Sequence, residues 1–249
     1  MTTTERDQYY NCVVGMSEES ATTLVWGDSH AQTLIWAINS IAERRGAAVR
    51  HVTKGGCPPI FYGVSASTKI DRRACIEMQK SAKEIVDSDP TIKTVFMAAR
   101  WSLYHSADLV LAEGQANNAF DKTLVSTIRQ LLALGLNVVV VDSLPEPGFD
   151  VANTLARQAL IGQQSIDSFA DGVLPFQSLK ALVDVEDPHL QLMHLNSVLC
   201  SEGACPLWEQ GELRYFDRDH LAKAGAQILT GHIERALFGN PPMKSGDQK

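Results

Sequence analysis

The sequence has 249 residues, of which 45% are hydrophobic, and it carries a formal net charge of −7 at pH 7. The acidic balance argues against a nucleic-acid-binding protein, because such a protein needs a basic face that replaces the counterions of the phosphates. No apolar run reaches the roughly 18–20 residues that a membrane-spanning helix requires.

The first part of the chain alternates predicted strands with predicted helices. A β-rich run at Thr22–Trp26 ends at Gly27, and apolar residues then recur at helical spacing over Ala31–Arg44. The alternation continues with a predicted strand at Ala47–Thr53, a helix at Thr68–Val86 and a strand at Lys93–Ala98.

The second part of the chain continues the same alternation. A helix is predicted at Ala119–Leu134, with Gly135 as its cap, followed by a Val-rich buried strand at Asn137–Val141. Further predictions are a helix at Val151–Ile161, a strand at His189–Leu195, a loop at Tyr215–His220 and one amphipathic helix at Leu221–Phe238. Residues 167–181 fit neither pattern clearly.

This order of elements predicts an α/β fold. Strands that alternate with helices form a mostly parallel sheet with helices on both faces, and ligands bind at the carboxyl ends of its strands. No linker rich in Pro, Gly or Ser divides the chain, so we expect a single domain over residues 1–238. The Pro- and Gly-containing tail, residues 239–249, is expected to be disordered.

A Gly-Asp-Ser-His motif occupies residues 27–30, between the first strand and the first helix. A serine at such a turn can expose its hydroxyl as a nucleophile, and the backbone N–H of Ser29 can donate to the oxyanion that forms when it attacks an ester. Gly27 permits the sharp turn. The alternative is that Asp28 or Ser29 only caps the helix, which is a common role for both residue types.

An Asp-Arg-Asp-His motif at residues 217–220 could supply the base that such a serine needs. Asp217 lies three residues before His220 and can reach its Nδ1 atom, which would fix the tautomer and stabilise the imidazolium. We assign Asp219 to the N-cap of the closing helix. In the alternative interpretation, His220 is a surface histidine at a helix start.

The five cysteines bear on the compartment. The spacings of Cys57 with Cys75 and of Cys200 with Cys205 suit two disulfides, which leaves Cys12 unpaired. Five reduced thiols and a zinc site are the alternatives, and no Cys-x-x-Cys pair supports zinc. We favour an oxidising compartment. The first residues lack the basic and apolar regions of a signal peptide, so the chain is expected to be either cytosolic or a piece of a longer protein.

Together, these motifs resemble the SGNH hydrolase superfamily, and most closely the SGNH domains fused to membrane acyltransferase-3 modules. The resemblance covers nearly the whole chain, and its segments are residues 25–31, 57–59, 99–102, 145–150, 200–205 and 217–221. It implies a flavodoxin-like three-layer α/β/α sandwich. It also implies that Ser29 is the nucleophile, His220 the base and Asp217 its partner, in a site that acts on O-acyl groups of carbohydrates.

The oxyanion hole is where the chain departs from the superfamily. The resemblance places a second donor at the backbone N–H of Gly55 or Gly56, although two adjacent glycines can also serve only a turn. The superfamily usually has Gly-x-Asn-Asp after the third strand, where this chain has Ala-Ala-Arg-Trp at residues 98–101. A lost donor typically lowers the rate about 10²–10³-fold, so either Arg100 supplies a substitute or the site is slow.

Several side chains have more than one possible role. Arg100 could instead bind an acidic sugar or pair with a carboxylate, and Trp101 could be a stacking platform or part of the core. His30 could orient the loop around the nucleophile or be a structural histidine. Trp36 and Trp208 are expected to be packing residues. The remaining histidines show no metal-ligand spacing, so we expect no metal ion and no cofactor; they are His51, His105, His189, His194 and His232.

The resemblance implies a carbohydrate O-acyltransferase domain that passes an acyl group, most simply acetyl, through Ser29 to a glycan hydroxyl. The implied partners are a glycan acceptor and a membrane acyltransferase-3 module, fused or separate, that delivers the acyl donor; nucleic acid is not among them. The implied location is the periplasm or another extracytoplasmic space, as a soluble domain of a membrane-anchored protein. Reduced thiols would instead indicate the cytoplasm.

Three other functions remain open. A free-standing carbohydrate acetylesterase would use the same three residues, because water and sugar hydroxyls compete for one acyl-enzyme. A catalytically decayed glycan-binding domain would explain the missing Asn donor. Residues 27–30 resemble the first metal-binding motif of metallophosphoesterases, which makes such an enzyme the third alternative. However, this chain lacks the further metal-binding motifs of that class.

Overall fold

The computed structural model describes residues 9–16, 19–65, 72–105, 107–111, 114–116, 119–170, 179–182 and 184–239. Residues 68–71 of the predicted second helix and residues 240–249 of the predicted disordered tail lie outside these ranges. Within the described residues, no helix combines the length and the apolar composition needed to cross a bilayer.

The main sheet has six strands in the order β1-β3-β2-β5-β8-β10. These are β1 (Tyr10–Gly15), β2 (Thr23–Gly27), β3 (Ala48–Thr53), β5 (Thr94–Ala98), β8 (Asn137–Val141) and β10 (Leu190–Met193). Short strands outside it are β4 (Val64–Ser65), β6 (Leu109–Leu111), β7 (Gly114–Ala116), β9 (Ser168–Ala170), β11 (Ala204–Pro206), β12 (Trp208–Glu209) and β13 (Glu212–Leu213).

The helices are α1 (Ser29–Arg45), α2 (Arg72–Ser88), α3 (Trp101–Tyr104), α4 (Phe120–Ala133), α5 (Val151–Leu160), α6 (Asn196–Leu199), α7 (Lys223–Ile228) and α8 (Thr230–Phe238). A short 3₁₀ helix lies at Lys180–Leu182. The predicted strands and helices are confirmed apart from shifts at their ends and the exceptions below.

The five strands β3, β2, β5, β8 and β10 are parallel, whereas β1 pairs antiparallel with β3 at one edge. The predicted mostly parallel α/β fold is therefore confirmed. Strand β1 was not predicted from the sequence, because its residues are largely exposed and give no continuous apolar run.

Helices cover both faces of the sheet because side chains alternate along each strand. On β2, Leu24 and Trp26 pack in the hydrophobic cluster that includes α2 and α4, whereas Val25 packs in the cluster that includes α1 and α8. The three layers of the predicted α/β/α sandwich follow directly from this alternation.

The closing helix predicted at Leu221–Phe238 is in fact two helices, α7 and α8. The N–H of Leu229 bonds to the carbonyl of Ala226, three residues back, so the helix tightens and breaks at Leu229. Leu221 lies before α7 and forms a β-bridge with Tyr215. This bridge joins the two ends of the loop at residues 215–220.

Both predicted disulfides are present, Cys57–Cys75 and Cys200–Cys205. The first joins the loop after β3 to α2, and the second closes a short turn between α6 and β11. Cys12 on β1 is an exposed free thiol.

Candidate active site

The turn between β2 and α1 lies at the carboxyl edge of the sheet, and Gly27 is required there. A Cβ atom at residue 27 would lie 1.8 Å from the carbonyl oxygen of Ala98 on the neighbouring strand β5. After this close approach, Asp28 caps α1, because its Oδ1 atom accepts a hydrogen bond of 2.8 Å from the N–H of His30. The capping interpretation is therefore correct for Asp28, and the Ser29 hydroxyl bonds elsewhere.

Ser29, His220 and Asp217 form one hydrogen-bonded chain. The Oγ atom of Ser29 lies 2.7 Å from Nε2 of His220, and Nδ1 of His220 lies 2.8 Å from Oδ2 of Asp217. The other carboxylate oxygen of Asp217 accepts the backbone N–H groups of His220 and Asp219 at 2.8 and 3.0 Å. These bonds fold the loop so that the imidazole points at the serine.

Asp219 is a second acid beside the same imidazole, and its predicted role as an N-cap is wrong. The helix α7 begins at Lys223, and Ala222 precedes it without any side-chain cap. The Oδ1 atom of Asp219 instead lies 3.2 Å from Nδ1 of His220, and its Oδ2 atom lies 2.5 Å from Nη1 of Arg100. His220 likewise lies in the loop and not at a helix start.

The two carboxylates control the protonation of His220. Burial lowers the pKa of the imidazole, but the hydrogen bonds and charges of Asp219 and Asp217 outweigh burial and raise the pKa to about 9. Burial raises the pKa of Asp219, but its bond with His220 and the charges of His220 and Arg100 outweigh this and lower it to about 2. The imidazole is therefore a cation at neutral pH, and it must lose its proton before it can act as a base.

Arg100 pairs with carboxylates, which is one of the roles predicted for it. Its Nε and Nη2 atoms bond to Glu146 at 3.0 and 2.6 Å, and its Nη1 atom contacts Asp219. Its backbone N–H donates to Oδ2 of Asp28 at 3.0 Å. The arginine thus holds the ends of β2, β5 and the loop of His220 together. Its predicted roles as an oxyanion donor or a ligand for an acidic sugar remain predictions.

Asp28 has a second role, in addition to capping α1, that the sequence did not predict. Its side chain is only 1% exposed, and its Oδ2 atom also accepts the hydroxyl of Tyr104 at 2.8 Å. Burial, together with the adjacent Asp28 carboxylate, raises the pKa of Tyr104 well above its ordinary value. The only sequence signal for this network is the position of Asp28 beside the serine.

Trp101 is not a stacking platform. The side chain is fully buried, its indole N–H donates to the carbonyl of Val141 at 2.6 Å, and its ring contacts Phe120. Because both faces lie inside the core, the predicted role of Trp101 in substrate contact is wrong, and its alternative role in the core is correct.

Of the two candidate oxyanion glycines, Gly55 lies closer to the serine. A Cβ atom at Gly55 would lie 3.9 Å from the Cβ atom of Ser29. Gly56 has a φ of 69°, in a turn where the N–H of Cys57 bonds to the carbonyl of Lys54 at 3.0 Å. The turn therefore favours glycine at residue 56. The backbone donors of Ser29, Gly55 and Gly56 remain predictions for the oxyanion hole.

His30 is buried against the imidazole of His220, with 5.2 Å between the ring centroids. Burial lowers its pKa, and neither ring nitrogen has a hydrogen-bond partner among the described residues. Potential ligand atoms of His30, Asp219 and His220 lie within 4.8 Å of one another. However, Asp219 already binds Arg100, and both nitrogens of His220 are bonded, so a metal ion would have to break this network.

A groove of about 460 Å³ opens from Ser29 and His220 along α1. Trp36 lines this groove and is 56% exposed, so its predicted role as a packing residue is wrong. Trp208 is 37% exposed and does not line the groove. Phe216, for which the sequence carries no functional signal, is 50% exposed and stacks on the His220 ring, with 5.5 Å between the ring centroids.

Comparison with known proteins identifies the family. Residues 2–235 match the model of the SGNH domain that is fused to AT3 domains. Among solved structures, the chain is similar to the periplasmic domain of a lipopolysaccharide acetyltransferase from Salmonella ser. Paratyphi A. The two are 15% identical, with a TM-score of 0.59 over 86% of this chain and 83% of the other. No curated protein sequence matches the chain significantly.

Proposed function

The chain belongs to the family of SGNH domains that are fused to AT3 domains, and from this we propose that it is a carbohydrate O-acetyltransferase domain. Family membership supports an enzyme that modifies carbohydrates. The observation that carries the proposal is the hydrogen-bonded chain from Ser29 through His220 to Asp217. This arrangement is the one that activates a serine for acyl transfer.

The proposed reaction has two halves. In the first, Oγ of Ser29 forms a bond with the carbonyl carbon of the acetyl donor while its proton passes to Nε2 of His220. The bond to the leaving group then breaks, and the leaving group takes that proton. In the second, His220 accepts the proton of a glycan hydroxyl while the hydroxyl oxygen bonds to the acetyl carbon. The bond between that carbon and Oγ of Ser29 then breaks, and His220 returns the proton to Oγ.

Backbone N–H groups are proposed to stabilise the oxyanion of each half. Ser29 begins α1, and the first N–H groups of a helix are free to bind negative charge. Gly55 lies near the serine, since a Cβ atom there would lie 3.9 Å from the Cβ atom of Ser29, and it has no side chain that would fill the space. We assign the oxyanion to the N–H groups of Ser29 and Gly55, without a contribution from Arg100, because two carboxylates already hold its guanidinium.

The proposal includes a membrane partner and a location. The domains of this family are fused to AT3 domains, which fits a membrane acyltransferase that supplies the acetyl donor. Two disulfides fit an oxidising space outside the cytoplasm. We therefore place the domain in the periplasm or an equivalent compartment, with a cell-surface polysaccharide as the acceptor.

A carbohydrate acetylesterase is the second candidate. The groove beside Ser29 is open to solvent, so water can reach the acyl-enzyme that a sugar hydroxyl would otherwise attack. A decayed glycan-binding domain is less consistent with the geometry, since the serine, histidine and aspartate keep bonds of 2.7–2.8 Å.

The test uses p-nitrophenyl acetate as the donor and, as the acceptor, surface polysaccharide of the encoding organism after mild alkaline removal of its acetyl groups. Mass spectrometry of the polysaccharide is expected to show new acetyl groups with the native protein and none with Ser29→Ala. Release of all acetyl as acetate would instead indicate the esterase. Turnover at the background level in both proteins would indicate the glycan-binding domain.

A further inference from the structure

We infer that the groove along α1 is the acceptor subsite, in which a carbohydrate chain stacks on the exposed indole face of Trp36. The inference rests on the proposed function and adds to it the place where the glycan binds. The groove is lined by Ser29, Gln32, Thr33, Trp36, Phe216, His220, Leu221, Ala222 and Lys223.

One face of helix α1 packs in the core, and another face lines the groove. Its core face packs in the sandwich through residues such as Leu34, Ile38 and Ile41. Its groove face has Ser29 at position i, Gln32 and Thr33 at i+3 and i+4, and Trp36 at i+7, so these residues form one stripe. Seven residues of helix rise by about 10.5 Å. A ligand that starts at the Ser29 hydroxyl and follows the helix for this distance reaches the indole.

The exposed aromatic rings are placed to bind a ligand. Trp36 is 56% exposed, although its neighbours on the core face of α1 are buried. Phe216 is 50% exposed, and its ring stacks on the imidazole of His220. Both aromatic rings line the same groove and provide flat apolar surfaces near the nucleophile.

Polar groups lie between and beside these rings. The ammonium of Lys223 lies over one face of the Trp36 ring, 5.9 Å from its centre, so the sugar stacks on the opposite face. Gln32 lines the groove between Ser29 and Trp36. A sugar ring has the matching chemistry, because its C–H faces are apolar and its rim carries hydroxyl groups. A long acyl chain would instead need an enclosed apolar channel, and this groove is open and contains a charge.

The experiment measures binding without chemistry. The background is Ser29→Ala, and the probe is a defined fragment of the de-O-acetylated polysaccharide used above. Trp26 and Trp101 are almost fully buried, so ligand-induced changes in tryptophan fluorescence report mainly on Trp36 and Trp208. The variants are Trp36→Ala, Trp36→Phe, which keeps an aromatic face, and Trp208→Ala, which removes an exposed tryptophan outside the groove.

We expect the background protein and Trp208→Ala to bind the fragment with equal affinity. Trp36→Ala should weaken binding roughly tenfold or more, measured by calorimetry, and Trp36→Phe should retain part of it. Equal affinity of Trp36→Ala and the background protein would overturn the inference, as would no binding of the fragment. A fluorescence change with anionic lipid vesicles but not with the fragment would also overturn it, in favour of a membrane-facing surface. None of these outcomes depends on acetyl transfer, so the proposed function is judged separately.

Discussion

The Nε2 atom of His220 lies 2.7 Å from the Oγ atom of Ser29, although 191 residues separate them in the sequence. The parallel sheet brings them together, because Ser29 follows the carboxyl end of β2 and the His220 loop folds over the same edge. The hydroxyl and the imidazole therefore lie within hydrogen-bond distance, as the proposed roles of nucleophile and base require.

The activity should depend on pH through His220. Because Asp219 and Asp217 raise the pKa of this imidazole to about 9, the neutral form that can accept a proton is a minority at pH 7. The imidazole is a cation below this pKa, so kcat/KM for p-nitrophenyl acetate should rise with pH, with an inflection near pH 9 and a plateau above it. An inflection of the pH profile at the ordinary histidine pKa of about 6.5 would contradict this expectation.

The two acids beside His220 should differ in their effects. Asp217 makes the shorter bond to Nδ1, so Asp217→Asn should lower kcat about 10⁴-fold through loss of the correct tautomer and orientation. Asp219 is the more buried acid and contributes the larger charge effect, so Asp219→Asn should mainly lower the kinetic pKa and retain more of kcat. Steady-state kinetics across pH on both variants would check this. Equal loss of kcat in both would show that they act as one unit.

Gly27 should be essential to the fold. Since a Cβ atom there would lie 1.8 Å from the carbonyl of Ala98, Gly27→Ala should cost more than about 4 kcal/mol or prevent folding. The matched control is Gly55→Ala, whose Cβ would make only an ordinary 3.9 Å contact with Ser29. Thermal unfolding followed by circular dichroism should show a native-like Tm for Gly55→Ala but not for Gly27→Ala. A stable Gly27→Ala protein would contradict the register of β2 and β5.

The two disulfides should contribute unequally to stability. By the chain-entropy model, removal of Cys57–Cys75, with 18 residues of separation, should lower the free energy of unfolding by about 3 kcal/mol. Removal of Cys200–Cys205, with a separation of 5, should lower it by about 2 kcal/mol. Urea unfolding of the two double-alanine variants measures both values. A larger loss for the shorter loop would contradict the entropic origin of the effect.

The sequence predicted the layers of the fold because buried strands and amphipathic helices leave periodic patterns. It did not predict β1, whose exposed residues carry no such pattern, or the break at Leu229. Similarly, the motifs predicted Ser29, His220 and Asp217 as site residues, because a serine at a strand-to-helix turn and an acid three residues before a histidine are local patterns. The pairing of Arg100 with Asp219 and Glu146 joins segments that are distant in sequence, and only the folded chain brings them together.

The exposure of Trp36 illustrates the same limit. A tryptophan on an amphipathic helix usually packs in the core. The sequence position of Trp36, seven residues after Ser29, does not decide whether it lies on the core face or on the groove face of α1. The loop that carries Phe216 and His220 also lines the groove, and only the folded chain brings this loop beside α1.

The most direct test of the account is acetylation of Ser29. After rapid mixing with p-nitrophenyl acetate and an acid quench, proteolysis and mass spectrometry should find one acetyl group on the peptide that contains Ser29. Its formation should be as fast as the first turnover, and it should be absent in His220→Ala within that time. Turnover at the native rate without any acetylated Ser29, or with the acetyl group on another residue, would contradict the account.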